Sequence, residues 1–195
     1  PYLVKITANG ALDLSFNSTG FKTFDLALPG ATFEAIDLVQ LADTSLLFSV
    51  YNLTSNISHI VKTDTLGNLV TAFSSNGILN LALGATGTKV NNMTLDSSEN
   101  LYIAGFATNV DDDYLLIKIS SITGILDPLF NAFNTPGYLV FDEGVNDTQL
   151  FVTFDPFQQR IILISIVSLG RSPTDSIRLR GLNLVQDDIG AVPPF

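Results

Sequence analysis

The amino-acid sequence predicts an all-β protein built from repeated units of four antiparallel strands. Three observations lead to this prediction. A short motif recurs along the chain at a fixed interval. The segments between its copies are short apolar runs, rich in Val, Ile, Leu, Phe and Tyr and bounded by turn-forming residues. No part of the chain sustains the apolar period of an amphipathic helix.

The motif consists of a glycine, a leucine two residues later, a phenylalanine and a second glycine. Its first glycines are equally spaced, since 67 − 10 = 57 and 124 − 67 = 57. The leucines and phenylalanines keep this spacing, and the last second glycine follows a three-residue insertion. The motif residues are Gly10, Leu12, Phe16 and Gly20, then Gly67, Leu69, Phe73 and Gly77, then Gly124, Leu126, Phe130 and Gly137. Equal spacing through two intervals predicts a repeat protein.

Each unit is predicted to contain four strands in a fixed order. The first two are apolar runs separated by a short polar or Pro-containing break, and LYIAGF is an example of the second. The third strand leads into the first glycine of the motif, which closes a turn with positive φ. The second glycine opens the fourth strand, as in GFKTFD, GILNLAL and GYLVFD.

The apolar residues of the motif are predicted to be core residues that fix the connection between the third and fourth strands against a neighbouring unit. They are Leu12, Phe16, Leu69, Phe73, Leu126 and Phe130. Asp13 and Asp127 follow the motif leucine, and we expect them to accept hydrogen bonds from nearby backbone amides. Val70 holds this place in the middle copy, so the turn does not depend on the aspartate.

Four-stranded antiparallel units that stack on one another are typical of β-propeller blades. The sequence therefore predicts a single β-propeller-like repeat domain over residues 1–195. Its predicted parts are a partial blade (1–30), two blades (31–87 and 88–147), a partial blade (148–182) and an extended C-terminal tail (183–195). About three blades are present, whereas propellers close with about four to eight. The open ends need a cover, for which the candidates are the rest of a longer chain, a second copy or another subunit.

Composition and charge exclude several function classes. The 195 residues carry a net charge of −10, which argues against a nucleic-acid surface or an electrostatic lipid anchor. The chain has no cysteine and one histidine, so it lacks disulfides, thiolate sites and the usual zinc and Ser-His-Asp constellations. No apolar run is long enough for a membrane helix. Without an initiator methionine or a signal-peptide pattern at the start, the chain is expected to be a fragment that begins inside a longer polypeptide or after processing.

An acidic loop is the one candidate metal site. Asn109, Asp111 and Asp113 offer the oxygen ligands that calcium prefers. The loop lacks the spacing of an EF-hand, and the favoured interpretation is a solvated loop with no bound cofactor. The lone His59 is interpreted as a packing residue. Five sequons, at Asn17, Asn52, Asn56, Asn92 and Asn146, are candidate glycan acceptors that an Asn-, Ser- and Thr-rich composition also generates on its own.

The segments NGALDLSFNSTGF and LYIAGF resemble the bacterial delta-60 repeat family of β-propeller type. Asn17, Ser74 and Asn131 stand where that family has a glycine after the phenylalanine. The resemblance implies an extracytoplasmic, surface-exposed or secreted repeat protein with no catalytic residues. The predicted function is accordingly a non-catalytic structural or protein-interaction module. The alternative is a carbohydrate-binding or glycosidase-like propeller that uses paired carboxylates. The matched acids of the motif, Asp13 and Asp127, lie in connections and are absent from the middle unit.

Overall fold

A computed structural model of the chain describes residues 1–26, 30–142, 149–167 and 176–183. Within these ranges the protein is all-β, which confirms the all-β part of the predicted fold class, and no helix occurs. The strands, in chain order, are β1 (Tyr2–Val4), β2 (Phe21–Thr23), β3 (Phe33–Gln40), β4 (Leu46–Asn52), β5 (Ile57–Thr63), β6 (Ile78–Leu81), β7 (Gly87–Leu95), β8 (Asn100–Thr108), β9 (Asp112–Ser120), β10 (Tyr138–Phe141), β11 (Leu150–Asp155), β12 (Arg160–Val167) and β13 (Ser176–Asn183).

The described strands form one eight-stranded sheet, which consists of two equivalent four-stranded antiparallel units, and two smaller sheets. Strands β3 to β6 make the first complete unit and β7 to β10 the second complete unit, and in both each strand pairs with the one before it. One parallel pair, Ile57 with Thr88, joins these two units. The antiparallel pair of β1 and β2 is the N-terminal half-unit, and β11 to β13 form the C-terminal unit.

Two strands have an end next to a predicted boundary of the chain. β7 begins at Gly87, the last residue of the predicted 31–87 segment. β13 ends at Asn183, the first residue of the predicted tail, and the rest of that tail lies outside the described residues. Among the residues that the structure describes, no helix is long and apolar enough to cross a membrane.

Strand β8 shows why the central strands are apolar along their whole length. Its Leu101 and Ile103 lie in the core shared with the first complete unit, whereas Tyr102 and Ala104 lie in the core shared with the C-terminal unit. Because successive side chains of a strand project to opposite faces, a strand between two cores needs an uninterrupted apolar run. The sequence LYIA meets this requirement.

A separate apolar core lies between each pair of successive units. The core between the N-terminal half-unit and the first complete unit contains Phe24, Leu26, Phe48, Val50 and Val61. A larger core joins the two complete units, and a third joins the second complete unit to the C-terminal unit. Packing between neighbouring units thus holds the described part of the chain together.

Every glycine of the motif adopts the positive φ that a tight turn requires. The first glycines have φ of 86°, 86° and 73°, and the second glycines 80°, 85° and 96°, in chain order. Asn17, Ser74 and Asn131 also have positive φ, at 50°, 48° and 55°. This conformation explains why glycine suits that place in the delta-60 pattern, and asparagine is among the residues that tolerate it best.

One predicted core residue is not buried. Phe16, Phe73 and Phe130 are buried, and Leu69 and Leu126 are half-buried, but Leu12 is 48% exposed. Leu69 packs against the core that it shares with the N-terminal half-unit, and Leu126 against the core shared with the first complete unit. Burial of each motif leucine therefore depends on the preceding unit. No described residues form a preceding unit for Leu12.

Candidate functional site

At the contact between successive units, the turn of the repeated motif packs against the apolar surface of the preceding unit. A Cβ built on Gly67 would lie 2.7 Å from Cζ of Phe16, and one on Gly124 would lie 3.1 Å from Cε2 of Phe73. The phenylalanine of each unit thus lies directly on the first glycine of the next unit. A Cβ at Gly10 would meet nothing within 4 Å, so the corresponding place on the N-terminal half-unit is open.

Within each unit, the second glycine lies on the motif leucine. A Cβ on Gly20, Gly77 or Gly137 would come within 2.8, 2.9 or 2.5 Å of the Cβ of Leu12, Leu69 or Leu126. The repeated close approach explains the glycine at this position, because any larger residue would displace the leucine. The same local turn therefore occurs in all three copies, with or without a preceding unit packed against it.

Pairing identifies three equivalent apolar residues on the face that each unit turns toward the unit before it. One lies on the third strand, one is the motif leucine and one lies opposite on the fourth strand. The sets are Val4, Leu12 and Phe21, then Val61, Leu69 and Ile78, then Ile117, Leu126 and Tyr138. The second and third sets lie within or against apolar cores. The first set is 48%, 48% and 45% exposed.

A polar contact repeats between the first strands of successive units. β3 and β7 carry bulges at equivalent positions, between Ala35 and Asp37 and between Val90 and Asn92. The residue after each bulge reaches the next unit. Asp37 accepts a hydrogen bond from the backbone N–H of Met93 (2.7 Å). A bulge re-aims a side chain in this way because it bends the strand locally.

Asn92 makes the corresponding contact to the C-terminal unit with both ends of its amide. Its Oδ1 accepts a hydrogen bond from the backbone N–H of Val152 (2.8 Å), and its Nδ2 donates one to the carbonyl of the same residue (2.7 Å). The sequence indicates no inter-unit contact for Asp37 or Asn92, and it identifies Asn92 only as a candidate glycan acceptor. The only available signal is a polar residue at the centre of an otherwise strand-like segment, and this signal is shared by many exposed strand positions.

Substitution of Asn92 by alanine is expected to lower the free energy of unfolding by about 2 kcal/mol, since it leaves the backbone donor and acceptor of Val152 without this partner. Urea denaturation followed by circular dichroism measures the loss. Asn134→Ala is the matched control, because Asn134 is exposed in a turn and should change the free energy by less than about 0.5 kcal/mol. Equal effects of the two substitutions would contradict the proposed inter-unit contact.

The lysine before each motif glycine neutralises the motif aspartate where one is present. Lys5 pairs with Asp13 (3.1 Å) and Lys118 with Asp127 (2.7 Å). The aspartates also accept hydrogen bonds from the backbone N–H groups of Ser15 and Leu129, as the sequence predicts for turn caps. In the middle copy, where valine replaces the aspartate, Lys62 instead donates to the carbonyl of Ser121 in the second complete unit (2.8 Å).

The environment of both aspartates lowers their pKa. For Asp13 the side-chain hydrogen bond from Ser15 is the largest cause, followed by the one from Lys5. For Asp127 partial burial acts to raise the pKa, but the hydrogen bonds from Lys118 and from the backbone outweigh it and hold the pKa below its ordinary value. A carboxyl with a lowered pKa is ionised at neutral pH, which does not suit the general acid of a glycosidase.

A lowered pKa in the folded state makes the contribution of Asp127 depend on pH. The contribution is present above the ordinary aspartate pKa, near 3.9, and is lost as the pH falls through the folded-state pKa. Asp127→Asn is therefore expected to cost about 1 kcal/mol at neutral pH and almost nothing in strong acid. Urea denaturation at both pH values checks this difference, and a cost that persisted in acid would contradict it.

The acidic loop brings two of the three candidate calcium ligands together. The Nδ2 group of Asn109 donates to Oδ2 of Asp113 (3.1 Å), and Oδ1 of Asn109 accepts from the backbone N–H of Ala85 (3.0 Å). Asn109 thus presents its amide N–H, not its oxygen, to the carboxylate. Asp111 contacts Asn109 through its backbone carbonyl, which accepts a hydrogen bond from the backbone N–H of Asn109 (2.9 Å). Within the described ranges, no group of three or more His, Cys, Asp or Glu side chains is arranged to hold a metal ion.

His59 is a packing residue in a sheet. Its Nδ1 lies 2.7 Å from Oδ1 of Asn80 on the neighbouring strand, so Nδ1 carries the proton, since an amide oxygen can only accept. The ring also meets the edge of Phe33, with centroids 6.0 Å apart. Burial of the ring agrees with the interpretation of His59 as structural.

The sequons occupy different environments. Asn52 is 2% exposed and its Oδ1 accepts from two backbone amides, which leaves no space for a glycan. The amide nitrogens of Asn17 and Asn92 donate to backbone carbonyls. Asn56 is exposed in a turn, and Asn146 lies outside the described residues.

Comparisons with known proteins add no family assignment. No protein-family model, no curated protein and no solved structure matches the chain. The likeness to delta-60 repeats therefore stays a prediction from the motif residues.

Proposed function

We propose that the chain is an arc of a β-propeller-like array and acts as a non-catalytic module for protein interaction. The observation that carries this proposal is the exposed apolar face of the N-terminal half-unit. Val4, Leu12 and Phe21 expose nearly half of their surface, whereas the equivalent residues of both complete units lie within or against cores. A contiguous apolar face on a folded protein is typical of an interaction site.

Tyr2 and Ile6 extend this face. They alternate with Leu3 along the chain, and both are exposed, while Leu3 packs against the first complete unit. Alternation places Tyr2, Val4 and Ile6 on the same side of the strand. We call the surface formed by Tyr2, Val4, Ile6, Leu12 and Phe21 the N-terminal face.

The arrangement of the units supports a propeller-like array. β3 contacts β7 and β7 contacts β11, so the first strands of successive units lie side by side. In a propeller the first strand of each blade lines the central channel, and the blades pack face to face. The equivalent bulges and the repeated side-chain contacts of Asp37 and Asn92 to the next first strand fit that position.

The proposed setting is the outside of a bacterial cell, on its surface or in a secreted assembly, as the delta-60 resemblance implies. Absence of cysteine leaves no free thiol to oxidise there. The net charge of −10 favours solubility in spite of the apolar end. The proposed partner at the open ends is another part of an assembly of similar repeat units.

Analytical ultracentrifugation over a range of concentrations tests the interaction function. The chain is expected to associate to masses above 21.0 kDa, and Val4→Asp should weaken the association because it places a charge in the apolar contact. Leu14→Asp is the control, since Leu14 lies in an exposed connection. A single 21.0 kDa species at every concentration would overturn the proposal.

A further inference from the structure

The N-terminal face of this chain has the same construction as two faces that are already covered inside the molecule. The equivalent faces, which contain Leu69 and Leu126, pack against the preceding unit, whose phenylalanine lies on the first motif glycine. The contacts inside the chain therefore indicate that a face of this type is covered by a preceding unit and its motif phenylalanine.

We infer that the N-terminal face binds one further repeat unit of the same kind, whose motif phenylalanine occupies the open place at Gly10. This inference rests on the proposed interaction function and names the partner by its chemistry. The partner must present an apolar sheet face and one phenylalanine that follows a Gly-x-Leu turn, as Phe16 and Phe73 do.

The open place at Gly10 has the geometry of its covered counterparts. Gly10 has φ of 86°, as Gly67 does, and the turn around it closes with the same hydrogen bonds. The N–H of Gly10 donates to the carbonyl of Thr7, and that of Gly67 to the carbonyl of Asp64. Only the covering ring differs, because Phe16 lies on Gly67 and nothing lies within 4 Å of a Cβ built on Gly10. The turn is therefore formed before any partner binds.

The sheet edge next to this face is also incomplete. In both complete units the third strand pairs with the second strand on one side and the fourth on the other. In the N-terminal half-unit the third-strand equivalent, β1, pairs with β2 alone among the described residues. A partner that supplies strands equivalent to β3 and β4 would complete the sheet of β1 and β2. The unit that precedes those two strands in the partner would cover the N-terminal face.

A tandem duplication of residues 1–57, placed directly before Pro1 of the full chain, supplies such a partner. In the chain the phenylalanine precedes the next motif glycine by a constant distance, since 67 − 16 = 51 and 124 − 73 = 51. The duplication places its own Phe16 at this same distance before Gly10. It also supplies β3 and β4, which are the first two strands of the incomplete unit.

Thiol labelling reports whether the face is covered. The chain has no cysteine, so Leu12→Cys introduces a unique thiol on the N-terminal face. Leu14→Cys is the matched control, because the residues equivalent to Leu14 in the other copies, Thr71 and Pro128, are exposed. Leu69→Cys is the reference for a covered leucine. Labelling is done at a concentration where ultracentrifugation shows monomers.

In the 195-residue chain, Leu12→Cys is expected to label about as fast as Leu14→Cys. In the duplicated chain it should slow to the rate of Leu69→Cys, while Leu14→Cys stays fast. Replacing Phe16 of the added segment by alanine should restore part of the rate at Leu12→Cys. Slow labelling of Leu69→Cys in the duplicated chain shows that this chain is folded.

Equal labelling of Leu12→Cys and Leu14→Cys in the folded duplicated chain would overturn the inference. Slow labelling of Leu12→Cys in the 195-residue chain at the monomer concentration would also overturn it, because the face would then be covered without an added unit. Failure of the proposed function is distinguishable from failure of this inference, because it appears as a lack of association in ultracentrifugation and not as a labelling rate.

Discussion

Replacement of Phe73 by alanine is expected to lower the free energy of unfolding by about 3–5 kcal/mol. The ring has no exposed surface and lies in the core between the two complete units, directly on Gly124. Truncation removes its buried area and leaves a cavity that the flanking strands, held by hydrogen bonds in both units, cannot easily fill. Urea denaturation followed by far-ultraviolet circular dichroism gives the loss.

Phe133→Ala is the control for this experiment, because Phe133 lies in the inserted loop of the second complete unit and is 90% exposed. It should change the free energy of unfolding by less than about 0.5 kcal/mol. A similar loss for both substitutions would mean that the contact of Phe73 with Gly124 does not hold the units together.

Gly67→Ala is expected to cost more stability than Gly10→Ala, although both glycines have φ of 86°. The cost of placing an alanine in this conformation, about 1–2 kcal/mol, is common to both. Only at Gly67 does the added methyl group meet a neighbouring unit, since it would lie 2.7 Å from the buried ring of Phe16. Overpacking of this kind adds about 1–3 kcal/mol.

The difference between the two glycine variants isolates the inter-unit contact from the turn. Thermal denaturation of both variants and of the unsubstituted chain, in the same buffer, gives this difference directly. Equal destabilisation by the two substitutions would show that Phe16 does not lie on Gly67 in solution.

The turns and strands are the part of this fold that sequence predicts well. Gly10, Gly67 and Gly124 recur because each turn needs positive φ locally, and the apolar runs that follow have the length and composition of strands. Such requirements depend on near neighbours in the chain, so they leave a regular pattern in the sequence.

The interfaces are predicted less well, because they depend on which unit lies next to which face. Leu12 and Leu69 occupy the same place in the motif, yet only Leu69 has a preceding unit among the described residues. Asp37 and Asn92 reach the next unit only because a bulge turns their side chains toward it. No local pattern distinguishes such a residue from a polar residue on an exposed strand.

The acidic loop shows the same limit for a candidate ligand site. Asn109 and Asp113 have suitable oxygen atoms and a suitable spacing, but the amide of Asn109 donates to the carboxylate and so places N–H where a cation would need oxygen. Residue type alone does not determine which end of an amide faces its neighbour.

Nuclear Overhauser contacts between motif phenylalanines and motif glycines test the central claim most directly, namely that each unit stacks on the next through this pair. The structure predicts contacts from the Phe16 ring to the α-protons of Gly67 and from the Phe73 ring to those of Gly124, with upfield ring-current shifts at both glycines. The α-protons of Gly10 should show neither effect. Shifts of Gly67 and Gly124 that match those of Gly10, with no contacts to the rings, would contradict the stacking of the units.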